Sequence, residues 1–156
     1  MPADPDRRVI VETDGAARGN PGPAGIGVVV TEPDGEVLAT IAEGIGETTN
    51  NVAEYTAAIE GLRRARELGA TDVILRSDSR LLVEQLAGRF KVKNERLKRL
   101  HRQATDLARG FARIAYEHVP RESNKQADAL ANEGVDDWLA AGRPPVEPLA
   151  PDLFES

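Results

Sequence analysis

The chain has 156 residues, 40% hydrophobic and 29% charged, which suits one globular domain with a core large enough to fold alone. It has no cysteine, so a disulfide framework, a thiolate nucleophile and a zinc–thiolate site are excluded, and no window approaches the roughly 18 consecutive apolar residues of a membrane span. A formal net charge of −6 does not advertise a nucleic-acid binder, although local patches outweigh net charge.

The opening M-P-A-D-P-D-R-R lacks the apolar stretch of a signal peptide, so a soluble, cytoplasmic protein is expected. Residues 1–7 read as a flexible N-terminus. Arg8 to Thr13 is β-branched and short, a strand that ends on the carboxylate Asp14. Gly15 to Pro23 holds three glycines and two prolines and reads as a turn. Gly25 to Thr31 is a second strand, Pro33-Asp34-Gly35 a turn, and Val37 to Ile45 a returning third strand. Thr48-Thr49-Asn50-Asn51 supplies helix-capping residues, and Ala53, Ala57, Ala58, Leu62, Ala65 and Leu68 recur behind it at helical spacing. Gly69 closes that helix. Asp72 to Arg76 is a fourth strand leading into Ser77-Asp78-Ser79. A short helix is expected over Ser79 to Ala87. Asn94 opens another, with Leu97, Leu100, Ala104, Leu107 and Ala108 on one face. Ala112 to Val119 alternates as a fifth strand, Pro120 to Asn124 is a loop, and Lys125 to Leu139 a last helix. From Gly142 onward four prolines predict a tail without regular structure. A single folded domain is expected over residues 8–141 and the tail over 142–156. Three antiparallel strands followed by helix-separated strands predict an α/β domain: a mixed sheet with helices on its faces.

Four acids stand in marked places. Asp14 ends the first strand and Asp78 follows the fourth. Glu54 lies near the start of one helix and Asp128 near the start of another. Each is set among apolar residues, as in Val52-Ala53-Glu54-Tyr55 and Gln126-Ala127-Asp128-Ala129-Leu130. A carboxylate at the end of a buried strand is costly unless something binds it. If the four converge, their repulsion raises at least one pKa, and hard divalent cations resolve the conflict. Such a site cuts phosphodiesters and needs neither histidine nor cysteine. The plainer alternative is that these are helix-capping and surface acids, since Asp and Glu are ordinarily exposed. Spacing alone leaves both readings open.

Four linked motifs then carry a resemblance. T-D-G-A-A-R-G-N-P-G-P-A-G-I-G, T-T-N-N-V-A-E-Y, S-D-S-R-L-L-V-E-Q-L and N-K-Q-A-D-A-L-A occur in order from Thr13 to Ala131. Together they resemble type 1 ribonuclease H, in its compact bacterial and archaeal group. The resemblance spans about Val9 to Trp138. It implies a ribonuclease H-like fold, a five-stranded mixed sheet of order 3-2-1-4-5 flanked by helices. It implies an endonuclease that hydrolyses the RNA strand of RNA–DNA hybrids, leaving 5′-phosphate and 3′-hydroxyl ends. It places the catalytic, metal-binding acids on Asp14, Glu54, Asp78 and Asp128, with two Mg²⁺ or Mn²⁺ ions. In that pattern Asp14 bridges both ions, Glu54 and Asp78 belong mainly to one side, and Asp128 to the other. For substrate contact it marks Gly15, Arg18, Gly19, Asn20, Thr49, Asn50, Asn51 and Asn124. The partner is the hybrid, and a monomer is expected. A non-catalytic nucleic-acid-binding module, or a nuclease that also cuts double-stranded RNA, is the alternative.

The sequence departs from the family pattern in three places. The loop before the last helix is short and lacks the histidine many members carry. His118 falls inside the fifth strand, which leaves Arg121 as the loop's phosphate-contact candidate and Glu122 as a proton acceptor. The long basic protrusion is missing, yet residues 89–102 hold seven Lys or Arg against one acid, Glu95. Lys91 and Lys93 are candidates there for hybrid phosphates, and Arg80 leans toward the same substrate. Glu47 stands where some members place a basic residue. In the tail, Leu149, Leu153 and Phe154 are candidates for docking on the domain or a partner.

Overall fold

A computed structural model describes residues 6–146. Its elements are β1 (Arg8–Ala17), β2 (Gly22–Thr31), β3 (Val37–Thr48), α1 (Asn50–Glu67), β4 (Asp72–Ser77), α2 (Arg80–Leu86), α3 (Glu95–Ala108), β5 (Arg113–His118), a 3₁₀ turn (Arg121–Ser123) and α4 (Lys125–Ala140). They form one five-stranded sheet of order β3-β2-β1-β4-β5. β1 is antiparallel to β2 and parallel to β4, so the sheet is mixed as expected. Leu149, Leu153 and Phe154 lie outside the described residues. No described helix is long and apolar enough to cross a membrane.

Strand alternation sorts the two faces. Val9, Val11 and Thr13 of β1 and Ile26, Val28 and Val30 of β2 are fully buried. With Ile59, Leu62, Leu75, Leu97 and Leu100 they form a core between the sheet, α1 and α3. Alternate β2 positions face α4 on the other side. There Gly27 admits the helix backbone: a Cβ at this position would stand 2.0 Å from the carbonyl oxygen of Ala127.

Caps at Thr49 and Asn94 fall where the sequence places them, and Ser79, expected as the first residue of its helix, caps it instead. The Thr49 hydroxyl accepts from Val52 N at 3.2 Å, Ser79 from Leu82 N at 3.2 Å, and the Asn94 side chain from Leu97 N at 3.0 Å. Gly69 follows α1 with φ of +79°, which favours glycine.

Strand lengths differ from expectation. β1 does not stop at Thr13, and Gly15 is not in a turn. Parallel pairing with β4 ends at Thr13–Ser77, but the antiparallel ladder with β2 runs on through Asp14–Gly27 to Ala17–Ala24. The hairpin turn is only Arg18–Pro21, with a cis Asn20–Pro21 peptide, closed by Arg18 N donating to Pro23 O at 2.8 Å. β3 likewise extends past Ile45 to Thr48. In β1 Gly15, read as part of a turn, sits in a ladder position opposite Ile26.

Gly27→Ala should separate α4 from β2. The overpacked backbone contact predicts a loss of about 1–3 kcal/mol, read by denaturant titration, with wild-type stability as the contrary result.

Candidate active site

The unequal ends of the β1 ladders create the site. Asp14 is the first β1 residue beyond the last pair with β4, and Asp78 directly follows β4. Two carboxylates thus meet at one edge of the sheet. Glu54, in the second turn of α1, approaches from one face. Asp128, in the first turn of α4, approaches from the other.

Backbone contacts on both sides of Asp14 hold this convergence. On one side Gly15 N donates to the Glu54 carboxylate at 2.6 Å. Only glycine fits there: a Cβ would stand 2.2 Å from the carbonyl carbon of Ala53. On the other side the buried Asn124 side-chain amide donates to Thr13 O at 2.9 Å, which ties the start of α4 to β1. At Asp78, Ser79 N donates to the Ser77 hydroxyl at 3.0 Å and fixes the turn.

Asp14, Glu54 and Asp78 each present a carboxylate oxygen within 4.8 Å of the others. Asp14 and Glu54 are each only 5% exposed, although charged groups are seldom buried unpaired. Burial, then the charges of Glu54 and Asp78, push the Asp14 carboxyl up to about 9. Burial pushes Glu54 up to about 8, against the lowering hydrogen bond from Gly15 N. The neighbouring Asp128 carboxyl raises Asp14 further. Among the described residues no basic side chain forms an ion pair with any of the four. Buried, mutually repelling carboxylates with no internal counter-charge are an oxygen-only donor set that suits a hard divalent cation.

The acids line an open cleft of about 520 Å³. Gly15, Arg18, Asn50 and Arg121 join them there, as do Ser79 and Asn132, which the sequence did not single out. Asn132 lies one helical turn beyond Asp128 and donates to its carbonyl at 3.0 Å, a spacing readable only once the inner face of α4 is known. The Arg18 guanidinium is committed to α4, donating to Asp136 at 2.7 Å and to Asn132 at 3.3 Å.

The remaining candidates lie outside the cleft lining. The Asn20 side chain accepts from Asn50 N at 3.0 Å, joining the hairpin turn to α1. Gly19 belongs to that turn, Thr49 caps α1, and Asn51 is exposed beside it. Asn124 is 2% exposed, with its amide spent on Thr13, so it positions β1 rather than facing solvent. Arg80, Lys91 and Lys93 are exposed on α2 and the connection after it. Neither histidine lines the cleft: His118 ends β5 opposite Ser77, and the His101 ring contacts Gln85 O. Glu47 pairs with Arg143 at 2.6 Å.

A family described as reverse transcriptase-like matches residues 12–134. The bifunctional protein Rv2228c of Mycobacterium tuberculosis is 52% identical over 130 residues, 83% of this chain and 36% of that protein, so the chain spans little more than a third of its length. Ribonuclease HI of Halobacterium salinarum is 46% identical over 135 residues, 85% of this chain and 68% of that enzyme. Among solved structures, the N-terminal RNase H domain of Rv2228c has a TM-score of 0.81 at 52% identity, covering 83% of this chain and 99% of that one. LC11-RNase H1, in complex with an RNA/DNA hybrid, has a TM-score of 0.81 at 43% identity, covering 84% and 99%.

A carboxyl whose folded pKa stands above its unfolded value keeps a proton that the unfolded chain has already released. Its contribution to stability is intact below the ordinary carboxylate range and is lost as pH climbs toward the raised values of Asp14 and Glu54. In EDTA the wild type should therefore lose melting temperature between about pH 5 and pH 8. Asp14→Asn should melt above it, by a margin that widens over the same interval. A margin independent of pH would remove Asp14 from the proton-holding role.

Proposed function

The chain belongs to the type 1 ribonuclease H family, and we propose that it hydrolyses the RNA strand of RNA–DNA hybrids as a metal-dependent endonuclease. The observation that carries this reading is the meeting of Asp14, Glu54 and Asp78 oxygens within 4.8 Å in one cleft, where no described basic side chain forms an ion pair with them. The relatives named for ribonuclease H activity, and the hybrid-bound LC11-RNase H1, support the substrate class.

Asp14, Glu54, Asp78 and Asp128 are the residues that would hold the metal. Two Mg²⁺ or Mn²⁺ ions would supply the positive charge that activates a water and offsets the charge building on the phosphodiester. The chain's own part is to present these oxygens in fixed places. The peptide bonds flanking Asp14 are tied to α1 through Glu54 and to α4 through Asn124, so the central carboxylate cannot move independently of the helices bearing its neighbours. A divalent cation held there would supply the charge balance that the raised pKa values of Asp14 and Glu54 otherwise leave to protons. Arg121, exposed at the cleft rim, steadies a phosphate oxygen as a fixed cation and offers donors but no acceptor. Proton transfer at the departing oxygen then falls to water or to Glu122, exposed beside Arg121. In-line attack expels the 3′ oxygen and leaves a 5′-phosphate.

Selection of RNA falls to the edge of the cleft formed by Gly15 to Asn20 and by Thr49 to Asn51. Backbone amides and side-chain amides there can meet 2′-hydroxyls, the group that separates RNA from DNA. Lys91 and Lys93 extend the footprint along the phosphates.

Labelled hybrid, duplex RNA, duplex DNA and single strands are incubated with Mg²⁺, Mn²⁺ or EDTA. Cleavage confined to the RNA strand of the hybrid and abolished by EDTA is expected; an intact hybrid with both metals would overturn the proposal. Asp14→Asn should abolish cleavage while hybrid binding persists, and an active Asp14→Asn protein would refute the metal assignment. Replacing Lys91 and Lys93 with Met should weaken hybrid binding. It should also flatten the slope of log affinity against log salt by about 2, near 0.9 for each phosphate that a lysine no longer neutralises. An unchanged slope would return both lysines to a plain solvated face.

A further inference from the structure

Behind the cleft lies a buried polar network that the chemistry does not use. Tyr55, the residue after Glu54, is 1% exposed, and Gln85 near the end of α2 is 5% exposed. The Tyr55 hydroxyl contacts Gln85 Oε1 at 2.6 Å, and Gln85 Nε2 donates to the carbonyl of Lys91 at 3.1 Å. The donor roles are fixed by chemistry. A carbonyl only accepts, so the amide nitrogen faces Lys91, the amide oxygen faces Tyr55, and the hydroxyl must donate. The main-chain carbonyl of Gln85 is met by the His101 ring Nε2 at 3.0 Å, and that ring stands edge-on to Tyr55 with centroids 6.4 Å apart. One glutamine thus joins α1, α2, α3 and the connection that follows α2.

That connection is shaped as a platform. Gly88, with φ of +81°, turns the chain, and the backbone amides of Arg89 and Phe90 both reach back to Glu84 O, at 2.9 and 3.1 Å. The Arg89 guanidinium closes on the Glu84 carboxylate with two hydrogen bonds. Beyond it Val92 packs against the core while Lys91 and Lys93 are exposed, neither of them in an ion pair among the described residues. Alternation therefore presents two free cations outward from one extended segment. The carbonyl gripped by Gln85 belongs to the first of them.

We propose that Gln85 is a positioning residue for substrate. Bridging Tyr55 and the Lys91 carbonyl, it fixes the Lys91 and Lys93 cations at a set distance from the carboxylates of the cleft. This rests on the hybrid-cleavage reading above. Tyr55 is covalently next to Glu54, so the network references the platform to the helix that carries a ligand candidate. A platform fixed before binding spares the ordering cost of a loose basic loop, which shows in substrate affinity rather than in the chemical step.

The test compares wild type, Tyr55→Phe and Gln85→Leu in steady-state hybrid cleavage across a salt series, with thermal melts alongside. Tyr55→Phe should raise KM about threefold and Gln85→Leu about tenfold, with kcat within about twofold of wild type and a shallower salt dependence of kcat/KM. In a Lys91→Met/Lys93→Met background neither substitution should raise KM further. Lowered melting temperature with unchanged KM and salt slope would make the network purely structural and overturn the proposal. So would a fall confined to kcat, which would place the effect at Glu54. Should Gln85→Leu fail to fold, Tyr55→Phe, which deletes one oxygen atom, carries the test. Wild type that fails to cut hybrid with either metal would instead strike the functional reading, separately from this one.

Discussion

The cost of burying carboxylates beside one another governs this structure. Asp14 and Glu54 are nearly inaccessible, and each is held far above the usual carboxylate range by burial and by its neighbours' charges. A fold does not keep such an arrangement by accident of packing; repulsion would spread the side chains if their backbones were free to move. Here they are not free. Gly15 N is bonded to Glu54 and Thr13 O to Asn124, so strain at Asp14 is passed into α1 and α4 rather than relaxed locally. The hydrogen bond to Glu54 also lowers that acid's pKa, partly offsetting the burial it accompanies. The site is thus assembled by the main chain, and the acids are where the main chain puts them.

That arrangement depends in turn on close approach from both faces of the sheet. α1 reaches Asp14 because position 15 has no Cβ, and α4 reaches β2 because position 27 has none. The same demand explains the long β1–β2 hairpin. Carrying the antiparallel ladder four residues beyond the last β4 pair, from Asp14 to Ala17, lifts one rim of the cleft above the sheet edge. Arg18 and Asn20 then clasp that rim to α4 and α1. The hairpin at the cleft rim and the helices that carry Glu54 and Asp128 are one mechanical unit.

How far this was legible in the sequence follows from which forces are local. Caps at Thr49 and Asn94 and the φ-positive Gly69 are decided within a few residues, and they stand where the pattern puts them. The strand order and the four acids were legible through linked motifs, each acid sitting in a distinctive local string. The extent of β1 was not. Gly15 and Gly22 carry turn chemistry when only neighbours in sequence are considered, and what holds Gly15 in a ladder is a helix 39 residues away at Glu54. Asn124 shows the same limit: the resemblance marks it for substrate contact, yet it is buried and its amide crosses to Thr13. Neither Asn132 nor the Tyr55–Gln85 pair has any local signature, because a buried polar contact is defined by its partner.

Charge distribution gives the last constraint. A chain of net charge −6, with carboxylates crowding its cleft, repels a phosphate backbone at long range. Attraction must therefore come from few cations at short range, where placement counts more than number. Two of the seven basic residues after α2 are paired within the protein, Arg89 with Glu84 and Lys98 with Glu95. Lys91 and Lys93 are left facing outward on a segment pinned by Gln85 and Val92. A long, mobile basic arm can find phosphates by sampling; a seven-residue connection from Gly88 to Asn94 cannot. For a domain this compact, rigidity of the platform takes the place that reach would hold in a larger one, and the buried glutamine is what supplies it.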